Sequence, residues 1–425
     1  MGIIALSGAG RAIIPGHKSH GAVSLPAYMT AAVKEEEEIM AVPVQPLTLG
    51  IEEEYQIIDP QSRDLRTYIS ELLTQDQIRP KKLDLKPELM QSQVEVGSRI
   101  CQNIKEARQE IVRLRRDVLE LAEENGLQIA AASTHPFARW EDQIITEGTR
   151  YRELLDDMQG VARQLLIFGM HVHVGFGDDS ESRELLIATM NQARYFIPHL
   201  LALSTSSPFW RGQNTGLKSY RSVIFESLPR TGIPHSFMSW SDYKRYEVML
   251  ERVGAFGKVD KRAKIWWDIR PHPIYSTLEF RISDICTNVN DCICIAALFQ
   301  AICAKLLKLR RQNMSWRQYR HVHITENKWR AVRYGVDGDL IDFGIEQSVP
   351  FPTLAAELQE FLDDVVDELD SRQEVAHINT ILRGGTSADK QLRVYREHGG
   401  DDNQEEALRA VVDHLVEETK RDVID

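Results

Sequence analysis

An α+β fold is what this 425-residue chain predicts. Strand-like stretches fall at 48–58, 91–97, 127–132, 168–176 and 275–283, several with alternating apolar and polar residues. Longer stretches at 103–124, 150–166, 181–203, 291–312, 352–370 and 403–419 carry apolar residues at helical spacing. Internal repeats and heptads are missing, which leaves mixed or antiparallel strands with helices packed on one face. Hydrophobic residues make up 43% of the chain, enough for a substantial core.

In chain order, residues 1–45 read as a flexible extension. They are rich in small residues and end near the solvated acidic run "KEEEE", with Met40 as an internal candidate start. Order is expected from about Pro46, and 46–425 as a single domain. The first strand, "LTLGIEEEYQIID", poses a problem: Glu52, Glu53 and Glu54 are adjacent, and neighbouring carboxylates repel. The helix at 103–124 rests on Ile104, Ala107, Ile111, Leu114, Val118 and Leu121 and closes at Asn125-Gly126. Residues 204–236 form a Ser/Pro/Gly-rich loop, long enough to point to function. "HVHITENKWRAVRYG" reads as a strand holding His321 and His323.

Charge and cysteines exclude several classes. The 51 basic and 63 acidic residues give a net charge of −12 with no basic tract, which argues against generic nucleic-acid or membrane-surface binding. A continuous run of eighteen apolar residues is missing, so no membrane span is expected. The N-terminus lacks a basic segment followed by an apolar run, so no signal peptide is expected either. Of five cysteines (Cys101, Cys286, Cys292, Cys294, Cys303), four cluster in what reads as a buried helix. Reduced thiols in a cytoplasmic protein are the simplest reading. Cys292 and Cys294 are two apart, which on a helix points them away from each other. Motifs of the type G-x-x-x-x-G-K-[ST], a helix-opening G-x-G-x-x-G and G-x-S-x-G are absent.

The chemistry lies in side-chain alternation. Residues i and i+2 of a strand share a side. That pairs Glu52 with Glu54, Gln93 with Glu95, His171 with His173 and Glu279 with Arg281. Three of these strands have an apolar back: Val94 and Val96; Met170, Val172, Val174 and Phe176; Leu278, Phe280 and Ile282. On the remaining strand Glu53 lies between Ile51 and Tyr55 and requires a buried partner or an edge position. A single such pair is ordinarily a solvated strand face, but four of one kind outweigh that reading. Converging carboxylates need cations, and a carboxylate-rich set with imidazole suits Mg²⁺ or Mn²⁺. Mg²⁺ leaves positions for substrate phosphates, so the face points to nucleotide chemistry. Glu88 lies seven residues before Glu95 and could add another carboxylate, although Pro87 disturbs the local geometry. "HVH" alone would fit a zinc hydrolase, but the remaining ligands are too rich in carboxylates.

These motifs resemble those of the glutamine synthetase superfamily. "GIEEEY" resembles its G-x-E-x-E-[FY] strand, "ELMQSQVEVGS" its Q-x-E strand, "GMHVHVGF" its G-M-H-x-H strand and "LEFRISDICTN" its E-x-R-x-x-D-x-x-x-N segment. "THPFARW", "SYRSVIFESLPRTGIP" and "GGTSADKQLRVYRE" are similar to the carboxylate–amine ligase branch, glutamate–cysteine ligase type 2. The ordered set covers roughly 46–420. The resemblance implies an antiparallel sheet curved into a funnel, with helices outside and a single catalytic domain over 46–425. It also implies ATP at one end, Mg²⁺ ions in the middle and an amino-acid carboxylate at the other end. Carried over, Glu52, Glu54, Glu95, His171 and Glu279, with Glu88 as a looser match, take metal positions. His173 lies beside the nucleotide phosphates. Arg281 neutralises the transferring phosphoryl, and Arg221 contacts substrate or phosphate. Arg230 and Arg383 are further arginines of that kind.

The implied reaction is ATP-dependent ligation through an acyl phosphate, joining glutamate to cysteine or another amine. The partners implied are small amino acids, not nucleic acid or membrane, and a homodimer is permitted. A divalent-metal hydrolase or a phosphotransferase using the same face is the alternative, separated by whether ATP is consumed in step with product. Around this site, Asp268, Arg270 and His272 approach the Glu279 strand, while Lys328 with Arg330 or Arg333 is a candidate for facing ATP. Trp266 and Trp267 read as packing residues first and adenine platforms second. His135 is equally a turn former or a substrate contact.

Overall fold

The computed structural model describes residues 47–78, 85–256 and 264–424. The expected 1–45 extension lies outside these residues. Seven strands form the main sheet: β1 (Leu49–Ile58), β2 (Lys86–Pro87), β3 (Gln93–Gly97), β4 (Gln128–Ala130), β5 (Met170–Gly175), β6 (Ile269–Pro271) and β7 (Thr277–Phe280). Their order is β2-β3-β1-β5-β7-β6, every pairing is antiparallel, and β4 extends the β5 edge of β1. The α+β expectation holds, and all five expected strands form. β2 and β6 are additions, two and three residues long, too short to show a period.

Register decides what the sheet carries. On the back, Ile51 pairs with Val172 and Val172 with Phe280, while Leu49 pairs with Val174 and Val174 with Leu278. All six are buried. Two long helices, α1 (Ile104–Glu124) and α2 (Val289–Arg311), belong to the same core. The side chain of Asn103 caps α1 by accepting from the Glu106 amide, and Asn288 caps α2 by accepting from Asn290. Phe299 of α2 packs on Phe280 with ring centroids 5.1 Å apart. By length and composition α2 could cross a membrane, but 89% of its apolar window is buried within this fold. All five cysteines are free and buried. A second, smaller core joins Ile58 of β1 and Ala130 of β4 to Phe209, Tyr395 and the C-terminal helix Gln404–Lys420.

Several helices depart from the expected bounds. The 150–166 stretch is two helices, Thr149–Met158 and Gly160–Arg163, broken at Gln159, whose φ of 51° leaves the helical region. The 181–203 stretch is interrupted at Arg194–Phe196, because Pro198 lacks the amide that would continue the ladder and fits only a first turn. The 204–236 loop contains a small hairpin, Phe209–Trp210 with Gln213–Asn214, and the helix Tyr220–Phe225. The strand expected at His321 and His323 is instead the helix His321–Tyr334, which buries Ile324, Asn327, Lys328, Ala331 and Val332 at helical spacing. Alternation in "HVHIT" spans too few residues to outweigh that longer pattern.

Candidate active site

The puzzle of three adjacent glutamates resolves by side. Glu53 points into the core, fully buried, against Arg115 of α1. Arg115 Nε donates to Glu53 Oε2 at 2.9 Å, and its Nη2 donates to Oε1. The guanidinium also donates to the carbonyls of Thr287 (2.7 Å) and Cys286 (2.8 Å), and the Tyr55 hydroxyl donates to Glu53. A buried carboxylate is tolerated when it is paired and fully hydrogen-bonded, as here. Glu52 and Glu54 face the other way.

On that face the register aligns three rows. Glu54 pairs with Glu95, and Glu95 with Lys86. Glu52 pairs with His171 and, on its other edge, with Gly97. His173 pairs with Glu279, and Glu279 with Arg270. Six of the expected metal and phosphate residues thus come together in two groups. Ligand atoms of Glu54, Glu88 and Glu95 lie within 4.8 Å of one another, as do those of Glu52, His173 and Glu279. His171 joins the second group, with Nδ1 3.2 Å from Glu52 and 3.9 Å from Glu279. His173, expected beside the phosphates, has Nε2 3.7 Å from Glu52 while its Nδ1 bonds the Thr277 hydroxyl at 3.0 Å.

The two groups differ in charge balance. Glu279 is 1% exposed and lies between Arg270, whose Nε is 2.7 Å away, and Arg281, which also bonds it. Burial alone would raise its pKa, but the two guanidiniums outweigh burial and hold the carboxyl well below the usual range. Burial, followed by the Glu95 charge, lifts Glu54 to about 7, and burial with Glu95 and Glu54 pushes Glu88 well above the carboxyl range. The cations near Glu54, Glu88 and Glu95, Lys86 beside Glu95 and Arg221 and Arg281 near Glu54, do not outweigh burial and mutual repulsion there, and a divalent cation would displace the protons. Burial and then the Arg281 charge lower His171 to about 4, leaving a neutral imidazole at neutral pH. His173 Nε2 is a buried polar atom with no hydrogen-bond partner, aimed at a carboxylate, as a metal ligand would be. Oxygen-rich donors with an available imidazole nitrogen fit Mg²⁺ or Mn²⁺.

Arg221 approaches from the 204–236 segment. It is 2% exposed and donates to the carbonyls of Ile282 (3.0 Å) and Arg281 (3.2 Å), while its Nε has no partner. Asp284 fixes its backbone: Ser207 and Ser219 hydroxyls donate to Asp284 at 2.7 and 2.8 Å, and the Arg221 amide donates to Ser207 Oγ at 3.1 Å. Gly169 makes room for it, since a Cβ there would lie 2.6 Å from Arg221 Nη2 and 3.3 Å from His171 Nε2.

Other expectations divide. Arg383 is exposed on the helix Ile378–Gly384, where it bonds Thr380; among the described residues no contact joins it to the sheet face. Lys328, a candidate for facing ATP, is buried and paired with Asp268 and Glu226. Arg230 bonds the Lys264 carbonyl at 2.7 Å and lies over Trp266. Trp267 packs in the core against Tyr246. His135 is the turn former, its Nδ1 accepting from the Phe137 and Ala138 amides and its Nε2 bonded to the Arg63 carbonyl. His272 lies against His173, with ring centroids 5.2 Å apart. Sequence reasoning missed Lys86, whose Nζ is 2.8 Å from Glu95 and 3.7 Å from Glu52; its strand is too short to carry a pattern.

Comparison with known proteins gives a consistent result. The family model for glutamate-cysteine ligase family 2 matches residues 48–414. A protein of Herpetosiphon aurantiacus named "Putative glutamate--cysteine ligase 2" is 51% identical over 378 residues, 89% of this chain and 94% of that one. One of the same name from Roseiflexus sp. (strain RS-1) is 52% identical over 379 residues, 89% of this chain and 96% of the relative. Two solved structures share the fold at 14% identity. The glutamate–cysteine ligase of Francisella tularensis, in complex with AMP, has a TM-score of 0.58 and covers 89% of this chain and 90% of its own. The bifunctional glutathione synthetase of Pasteurella multocida has a TM-score of 0.60 and covers 92% of this chain and 55% of its own. The chain belongs to glutamate–cysteine ligase family 2 and is an ATP-dependent carbon–nitrogen ligase.

Proposed function

We propose that this enzyme joins the γ-carboxylate of glutamate to an amine, with cysteine as the first candidate, through γ-glutamyl phosphate. The observation that carries the reading is the pair of carboxylate groups, Glu54–Glu88–Glu95 and Glu52–His173–Glu279, on one sheet face with Arg281 and Arg221 at its border. A carboxylate oxygen is a poor leaving group, and transfer of the ATP γ-phosphoryl onto it makes one that an amine displaces. Glu54, Glu88 and Glu95 on one side, and Glu52, Glu279, His171 and His173 on the other, would hold Mg²⁺, which supplies charge neutralisation at phosphate oxygens when bound. Arg281, fixed by Glu279, offers a planar fork to the phosphoryl oxygens. Arg221, with its free Nε, binds phosphate or substrate carboxylate. Buried partners keep these groups oriented before substrate arrives, which is the main protein contribution to such a step. ADP release with Mg²⁺, glutamate and a panel of amines tests the reading. ADP in step with amide product supports it, and ATP-independent turnover points to a metal-dependent hydrolase.

A further inference from the structure

We propose that Lys86 is an internal counter-cation that competes with divalent metal for the carboxylate face and so sets the metal affinity of the enzyme. This rests on the reading that the two carboxylate groups hold metal. Lys86 Nζ contacts one carboxylate from each, Glu95 Oε1 at 2.8 Å and Glu52 Oε1 at 3.7 Å. The register makes this reach possible. Lys86 pairs directly with Glu95, and Glu52 pairs with Gly97, two residues further along β3. Gly97 has no side chain to block the path; a Cβ there would lie 3.4 Å from Lys86 Nζ.

The ammonium therefore places a positive charge between the two carboxylate groups, where a divalent ion bound to Glu95 or Glu52 would lie. Lys86 can also leave. Its side chain is 46% exposed, and it sits on a two-residue strand at the sheet border. A dication binding Glu95 and Glu52 repels the ammonium, whose flexible stem lets it move into solvent. Arg281 and Arg270 differ: their guanidiniums are buried against Glu279 and stay in place.

The test is Mn²⁺ binding to the full chain without nucleotide, read from the electron paramagnetic resonance of free Mn²⁺ after stripping with chelator. Removing one charge-assisted contact predicts that Lys86→Met binds Mn²⁺ about tenfold more tightly than wild type, while Lys86→Arg does not gain. Unchanged or weaker binding by Lys86→Met, with wild type binding normally, overturns the role of Lys86 and leaves the metal reading standing. Absence of binding by all three proteins overturns both. A second measurement needs no variant: reductive methylation of Lys86 in the wild type, followed by mass spectrometry, should rise when Mn²⁺ is added. An unchanged or reduced rate overturns the proposal.

Discussion

Replacing Arg115 with methionine should destabilise the protein by about 3–5 kcal/mol, the usual cost of leaving one buried charge without its partner. The structure explains why the loss falls in that range. Glu53 and Arg115 are both fully buried, and the guanidinium satisfies both carboxylate oxygens together with the carbonyls of Cys286 and Thr287. In Arg115→Met, Glu53 keeps the Tyr55 hydroxyl and the Cys292 thiol but loses its one charged partner, and two carbonyls lose their donor. A chain of 425 residues unfolds with an entropy of roughly 0.9 kcal/mol/K, so the thermal midpoint should fall by about 3–6 °C. Circular dichroism melting in chelator, without nucleotide, measures this free of ligand linkage. The double variant Glu53→Met/Arg115→Met removes both charges and leaves apolar side chains of similar length, so it should recover much of the loss. A midpoint for Arg115→Met within about 1 °C of wild type would refute the reasoning. So would a double variant no more stable than Arg115→Met alone, because the cost would then not come from an unpaired charge.

Further predictions concern the site and pH. Arg281→Lys should lower the rate of ADP release by about 10²–10³, since a point charge cannot reproduce a fork; near-normal turnover would make Arg281 a purely structural partner of Glu279. Gly169→Ala should cut kcat by about 10²-fold with little change in melting, because its Cβ displaces Arg221; unchanged kcat would place Arg221 outside the reaction. His135 gives a pH dependence. Burial lowers it from 6.5 to about 3, so below pH 6.5 the unfolded chain takes up a proton that the native state refuses, and stability falls as pH falls toward 3. At pH 5 this costs about 2 kcal/mol relative to pH 7. His135→Asn keeps an acceptor for the turn but does not titrate, and urea denaturation should show a shallower acid slope; an identical slope would remove His135 from the acid sensitivity.

Much of the site was legible because side-chain alternation is a local property. Glu52 with Glu54, His171 with His173 and Glu279 with Arg281 share a face for reasons contained in each strand. The signal failed where elements were short or patterns ambiguous. Lys86 sits on a two-residue strand, and the three-residue strand Ile269–Pro271 that delivers Arg270 to Glu279 is similarly brief. His321 and His323 alternate like a strand over too short a span. Arg115 did leave a trace: it lies on the buried side of α1 with Ile111, Leu114 and Val118, a basic residue within an apolar stripe.

The order of residues alone determined which side chains each strand presents together, where most helices run, and which family the motifs resemble. It could not distinguish Glu53 from its two neighbours by chemistry, because the partner that lets it be buried stands 62 residues away. Nor could it say that Glu54 meets Glu95, that His173 meets Glu279, or that one lysine reaches carboxylates of both groups. Those facts depend on strand register and sheet order, which are fixed by contacts between distant segments and appear only when the whole chain packs.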